Sequence, residues 1–110
     1  MLLRKRQPDL IVCGHINLSP LARLAAWRAK APVVLFIYGI DAWNKPKGYF
    51  ASRWMNGADL VISISEVTRN RFLNWSQLDP QKVLLVPNAI KLERYGERPV
   101  NSELVARYGL

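Results

Sequence analysis

His15 is the sole histidine of the chain and stands one residue past Gly14, at the end of a short apolar run. An imidazole in that position can hydrogen-bond a hydroxyl or a phosphate and move a proton near neutral pH, which makes it the catalytic candidate. Gly39 and Asp41 form a second candidate pair. The glycine lets backbone approach a ligand or take a positive φ, and the carboxylate accepts bonds from hydroxyls. Ser65 precedes a helical stretch whose first-turn N–H groups, with their partial positive charge, suit an anion. Asn88 follows Pro87 at the end of another apolar run. Each position also has an ordinary structural reading: a loop histidine, a turn with an Asx cap, a helix N-cap and a turn residue after proline.

These residues share one positional property, because each lies just beyond a β-prone apolar segment. Leu10 to Cys13 reads as a strand buried on both faces, entered through Pro8-Asp9 and left through Gly14. Ser19-Pro20 predicts an N-cap with proline at the first helical position. The helix then runs to about Lys30 with its spacing carried by Leu21, Leu24, Ala25 and Arg28. Val33 to Tyr38 is the clearest strand, and residues 39–48 carry loop chemistry. A short helix is expected over Tyr49 to Asn56, a third strand over Leu60 to Ile64, a helix from Ser65 to about Trp75 and a fourth strand over Val83 to Val86. A last short helix spans Ser102 to Tyr108, ending at Gly109.

Apolar strands alternating with helical segments predict an α/β fold: a partial Rossmann-like parallel sheet of about four strands with right-handed crossover helices. Such sheets place their working groups outside the carboxyl ends of the strands. Gly14-His15, Gly39 to Asp41, Ser65 and Asn88 would then face one crevice, with the first strand as an open apolar edge prone to self-association.

The 110 residues allow one domain at most, and with 50% apolar residues, six glycines and seven prolines the composition is that of a globular protein. Sixteen Lys and Arg against eight Asp and Glu give a net charge of +8, which favours anionic partners. Arg4-Lys5-Arg6 and Lys45-Pro46-Lys47 could hold the protein peripherally at an anionic membrane surface. Nucleic acid is disfavoured, because Trp27, Trp43, Trp54 and Trp75 are scattered among elements in no nucleic-acid motif and suit core and interface packing better. Cys13 has no partner at metal-ligand spacing and reads as a small buried hydrophobe, so no metal is expected. One cysteine, no signal-peptide core and no bilayer-length apolar run make the cytoplasm the expected location, with membrane contact at its inner face.

The motif series Pro8 to His15, Pro32 to Asp41, Ala58 to Ser65 and Val83 to Ile90, closed by Arg107-Tyr108-Gly109-Leu110, resembles the amino-terminal domain of the retaining family-4 glycosyltransferases. The resemblance implies the GT-B fold of two facing Rossmann-like domains, of which this chain would hold the second half of the first. It would then divide into a partial Rossmann-like domain over residues 1–92, followed at 93–110 by a linker and the start of the donor domain. It also implies that Gly14, His15, Gly39, Asp41, Ser65 and Asn88 line the acceptor side. A nucleotide-sugar donor is expected only for the intact enzyme, with a glycan or lipid-linked acceptor, and the fragment would not catalyse alone. Tyr38 stands where the family usually has histidine, and Ala89 and Lys91 replace the usual glycine and aspartate. From another class, a small basic protein that binds nucleic acid or an acidic partner is the alternative. A split enzyme completed by separate polypeptides is a third reading.

Overall fold

In the computed structural model the chain is described over residues 6–47, 53–96 and 99–109. The β-branched and leucine-rich runs form four strands, β1 (Ile11–Cys13), β2 (Val33–Ile37), β3 (Leu60–Ser63) and β4 (Val83–Leu85). They pair in parallel and in chain order, β1-β2-β3-β4, so β1 is an edge strand. Two helices connect them, α1 (Ser19–Ala29) against β1 and β2, and α2 (Glu66–Trp75) against β3 and β4. The helix expected over 49–56 is represented by a helical turn at 53–55, and its residues 49–52 lie outside the described ones, as do Arg4 and Lys5.

Parallel register sorts the strand residues into two faces. Cys13, Leu35, Val61 and Val83 form one row across all four strands, with Ile37 and Ser63 behind it, and all six are buried. The opposite face carries Val12, Val34, Phe36, Leu60, Ile62 and Leu84, and none of these is buried. Val12 is 59% exposed. The expectation of strands buried on both faces therefore fails for one of them. Strands laid down in chain order with right-handed crossovers send their connecting helices to the same side of the sheet, which leaves the other side uncovered among the described residues.

Two further expectations are corrected at α1. Ser19 is not the N-cap: it lies inside the helix, buried, and the residue before it, Leu18, has helical backbone and makes no capping bond. A 3-10 turn over Ile16–Leu18 precedes the helix and is capped instead by His15. Nor do the leucines face the core, since Ser19, Ala22 and Ala26 are buried while Leu21, Leu24 and Trp27 are exposed, Trp27 by 78%. The helix docks through its small side chains, so Trp27 takes no part in the core. The helix ends at Lys30 in the left-handed conformation, φ 54°, with its N–H bonded to the Ala26 carbonyl.

The second half is tied more firmly. Phe72 is wholly buried and meets Trp75 edge-on at 4.9 Å between centroids. The Asp59 carboxylate accepts from the Val33 N–H at 2.7 Å while the Asp59 N–H donates to the Val33 carbonyl at 3.0 Å, which fixes β2 and β3 at their entry. Arg69 donates from Nε to the Val83 carbonyl, 2.8 Å, and from Nη2 to the Pro80 carbonyl, 3.2 Å, binding α2 to the start of β4. After β4 the described chain is exposed through to α3 (Ser102–Tyr108), which is capped by Asn101 and closed by Gly109 at φ 63°.

Candidate functional site

The carboxyl ends of β1, β2 and β3 carry three of the four candidate positions side by side. By register, Cys13 lies beside Leu35, and Ile37 beside Ser63, so the chain leaves the sheet at Gly14, Tyr38 and Ile64 along a common edge. Adjacent strands stand about 4.8 Å apart and β1 ends two residues short of the others, so the three exits fall within about 12 Å. A Cβ built on Gly14 or Gly39 would meet nothing within 4 Å, so backbone at both positions is open to a ligand. Gly39 has φ −178°, so the positive φ considered from sequence is not used. Asn88 lies three residues beyond β4 and is exposed.

His15 has a structural task. Its Nδ1 accepts from the Asn17 N–H at 3.1 Å, capping the 3-10 turn, and its carbonyl accepts from the Cys13 thiol at 3.1 Å. Cys13 is buried, as a small hydrophobe should be. With Nδ1 engaged as an acceptor, the neutral ring carries its proton on Nε2, and that N–H is the atom left to donate to a hydroxyl or phosphate. Beside it opens a cleft of about 370 Å³ bordered by Asn17, Ser19, Pro46 and Lys47.

Asp41 is the middle residue of a short 3-10 turn, Ile40–Ala42, that follows β2. Its Oδ1 accepts from the Gly39 N–H at 2.9 Å, and its Oδ2 is buried without a hydrogen-bond partner among the described residues. A buried carboxylate oxygen left unpaired is costly, and a hydroxyl or N–H donor reaching it would offset that cost. Ser65 accepts from the Thr68 N–H at 3.2 Å and is the N-cap of α2, as its position before a helical run implied.

Sequence reasoning assigned two tryptophans to packing and missed what they hold in place. The Trp43 indole donates to Thr68 Oγ1 at 3.1 Å and the Trp75 indole to the Ala42 carbonyl at 2.9 Å, so α2 grips the segment that carries Gly39 and Asp41 from both sides. The only signal for this in the sequence is Trp43 standing two residues after Asp41.

The Glycosyltransferase Family 4 model matches residues 1–94, which include every candidate position. The chain belongs to glycosyltransferase family 4. Among solved structures it is similar to the Anabaena protein HepE in complex with UDP-glucose, with 19% identity, a TM-score of 0.71, and coverage of 92% of this chain and 29% of that one. The complex of HepE with UDP and glucose matches at 20% identity and a TM-score of 0.69, with the same coverage. At this identity the likeness is one of fold: the four-stranded parallel sheet is part of the Rossmann-like amino-terminal domain of a GT-B structure. This family-4 chain spans less than a third of the length of those structures. No curated protein matches it. No described helix is long and apolar enough to cross a membrane.

Proposed function

We propose that these residues form the acceptor-side part of a glycosyltransferase that moves a sugar from a nucleotide-sugar donor to a hydroxyl of a glycan or lipid-linked acceptor. The observation that carries this reading is the unpaired, buried Oδ2 of Asp41 beside the open backbone of Gly39, at the carboxyl edge of a family-4 sheet. Asp41 would accept from an acceptor hydroxyl. His15 Nε2 would act at the reacting centre, the helix end at Ser65 would face charge on the acceptor, and Gly14 would let it approach. Asn88 would join them only if the segment after β4 folds back over the edge. UDP-glucose, bound by HepE, is the donor class carried over, and residues 93–110 would lead toward the domain that holds it.

Transfer requires donor and acceptor held together in one cleft, and the described elements supply one wall of it. The 110 residues alone should therefore release no UDP from UDP-glucose, whereas a fusion in which they replace the matching 29% of HepE should do so in the presence of a glycan acceptor. Turnover by the unfused chain would refute the reading, and so would a folded fusion whose activity survives Asp41→Ala. The basic charge and the inward-facing location remain part of the proposal: contact with an anionic membrane would bring the site to lipid-linked acceptors. Pairing through the open β1 edge would give self-association.

A further inference from the structure

On the flank of the site, where the loop after Asp41 meets the outer side of α2, lies a second cleft of about 300 Å³ lined by Trp43, Asn44, Lys45, Arg71, Asn74 and Trp75. Both indole N–H groups are spent on inward bonds, to Thr68 and to the Ala42 carbonyl, so the two rings are held in fixed orientation. The Arg71 guanidinium sits 4.2 Å from the centre of the Trp43 ring, a cation–π contact that holds it at the cleft. Lys45 adds a second cation, and none of the six lining residues is acidic. The two asparagine amides can each donate to and accept from a vicinal pair of hydroxyls.

We propose that this cleft binds an anionic saccharide unit, a sugar ring carrying a carboxylate. Rigid aromatic walls with a few placed polar groups favour a ring-shaped ligand over a diffuse charge. A guanidinium and an ammonium with no acidic neighbour in the lining favour one that brings its own negative group, which the guanidinium can hold in a forked bond. Trp43, Asn44 and Lys45 follow Asp41 by two to four residues, so a chain of sugars whose terminal hydroxyl lay at Asp41 would run past this cleft. The inference rests on the acceptor-side reading for that continuity, but binding at the cleft is independent of turnover.

The test is a titration of the purified 110-residue chain followed by the indole N–H signals in nitrogen-15 NMR spectra, each assigned by a Trp→Phe variant. A disaccharide of glucuronic acid and N-acetylglucosamine should shift the Trp43 and Trp75 signals saturably. It should bind at least tenfold more tightly than the neutral disaccharide of N-acetylglucosamine. Lys45→Gln with Arg71→Gln should weaken it at least tenfold, while the charge-matched pair Lys91→Gln with Arg94→Gln, exposed in the tail, should leave it within twofold. Equal affinity for the neutral disaccharide, shifts confined to Trp27 and Trp54, no saturable shift, equal weakening by the two charge pairs, or tighter binding of an oligothymidylate would each overturn the proposal. Failure here with UDP release intact in the fusion would remove the cleft and leave the glycosyltransferase reading standing; the converse result would do the opposite.

Discussion

Arg69 is the side chain on which the placement of β4 depends, and Arg69→Met measures that dependence while keeping an apolar stem of similar length. The substitution removes a charged donor from the Val83 carbonyl, at a buried residue, and from the Pro80 carbonyl, which is solvated. A hydrogen bond to a charged group contributes about 1.5–3 kcal/mol when shielded and little when exposed. Nearly all of the loss should therefore come from the Val83 bond, giving a cost of about 2–3 kcal/mol. With a urea dependence of about 1.5 kcal/mol per molar, the unfolding midpoint should fall by about 1.3–2 M, read by circular dichroism on dilute protein. Arg69→Lys should recover less than half of the loss, because an ammonium cannot reach both carbonyls in the forked geometry. A midpoint lowered by less than about 0.3 M in Arg69→Met would refute the reasoning and show that β4 is held by its ladder with β3 alone.

Other outcomes follow from single residues. Lys30→Gly relieves a left-handed non-glycine residue at the end of α1 and should raise stability by up to about 1 kcal/mol, visible as a higher urea midpoint. His15→Ala removes the cap of the 3-10 turn and should cost about 1 kcal/mol. His15→Asn, which can cap equally well, should hold stability within about 0.5 kcal/mol while abolishing UDP release by the fusion; retained release would remove His15 from the chemistry. Ala26→Leu forces volume between α1 and the sheet and should cost about 1–3 kcal/mol, whereas Leu24→Ala on the outer side should cost less than about 0.5 kcal/mol by the same thermal or urea measurement.

The strands and the helix of the second half were legible because their signals are local. Val33 to Ile37 is a run of β-formers between proline and glycine, and Ser65 stands where an N-cap must stand. What misled was the assumption that large apolar residues show which way an element faces. In α1 the alanines face the sheet and the leucines do not, a choice decided by how closely the helix lies on β1 and β2 rather than by hydrophobicity. The strand residue Val12 read as core because a parallel sheet is ordinarily covered twice, yet a run of four strands in chain order brings its own cover to one side only. Of the proposed site, the glycines and Asp41 are candidates because of their place after strands. The indole bonds that hold them could not, since they join Trp43 to Thr68 and Ala42 to Trp75 across intervals no periodicity marks.

The strand order has a temporal meaning as well. Each new strand pairs with the one made just before it, at separations of 22 residues for Ile11 with Val33, 26 for Val34 with Leu60 and 22 for Val61 with Val83. At a synthesis rate of about 5–20 residues per second, successive partners leave the ribosome roughly one to five seconds apart, far longer than a short loop takes to close. The sheet can therefore grow by accretion at one moving edge, with no strand waiting for a distant mate. Throughout that growth the face carrying Val12, Val34, Phe36, Leu60, Ile62 and Leu84 gains no cover from the two helices laid down between these strands.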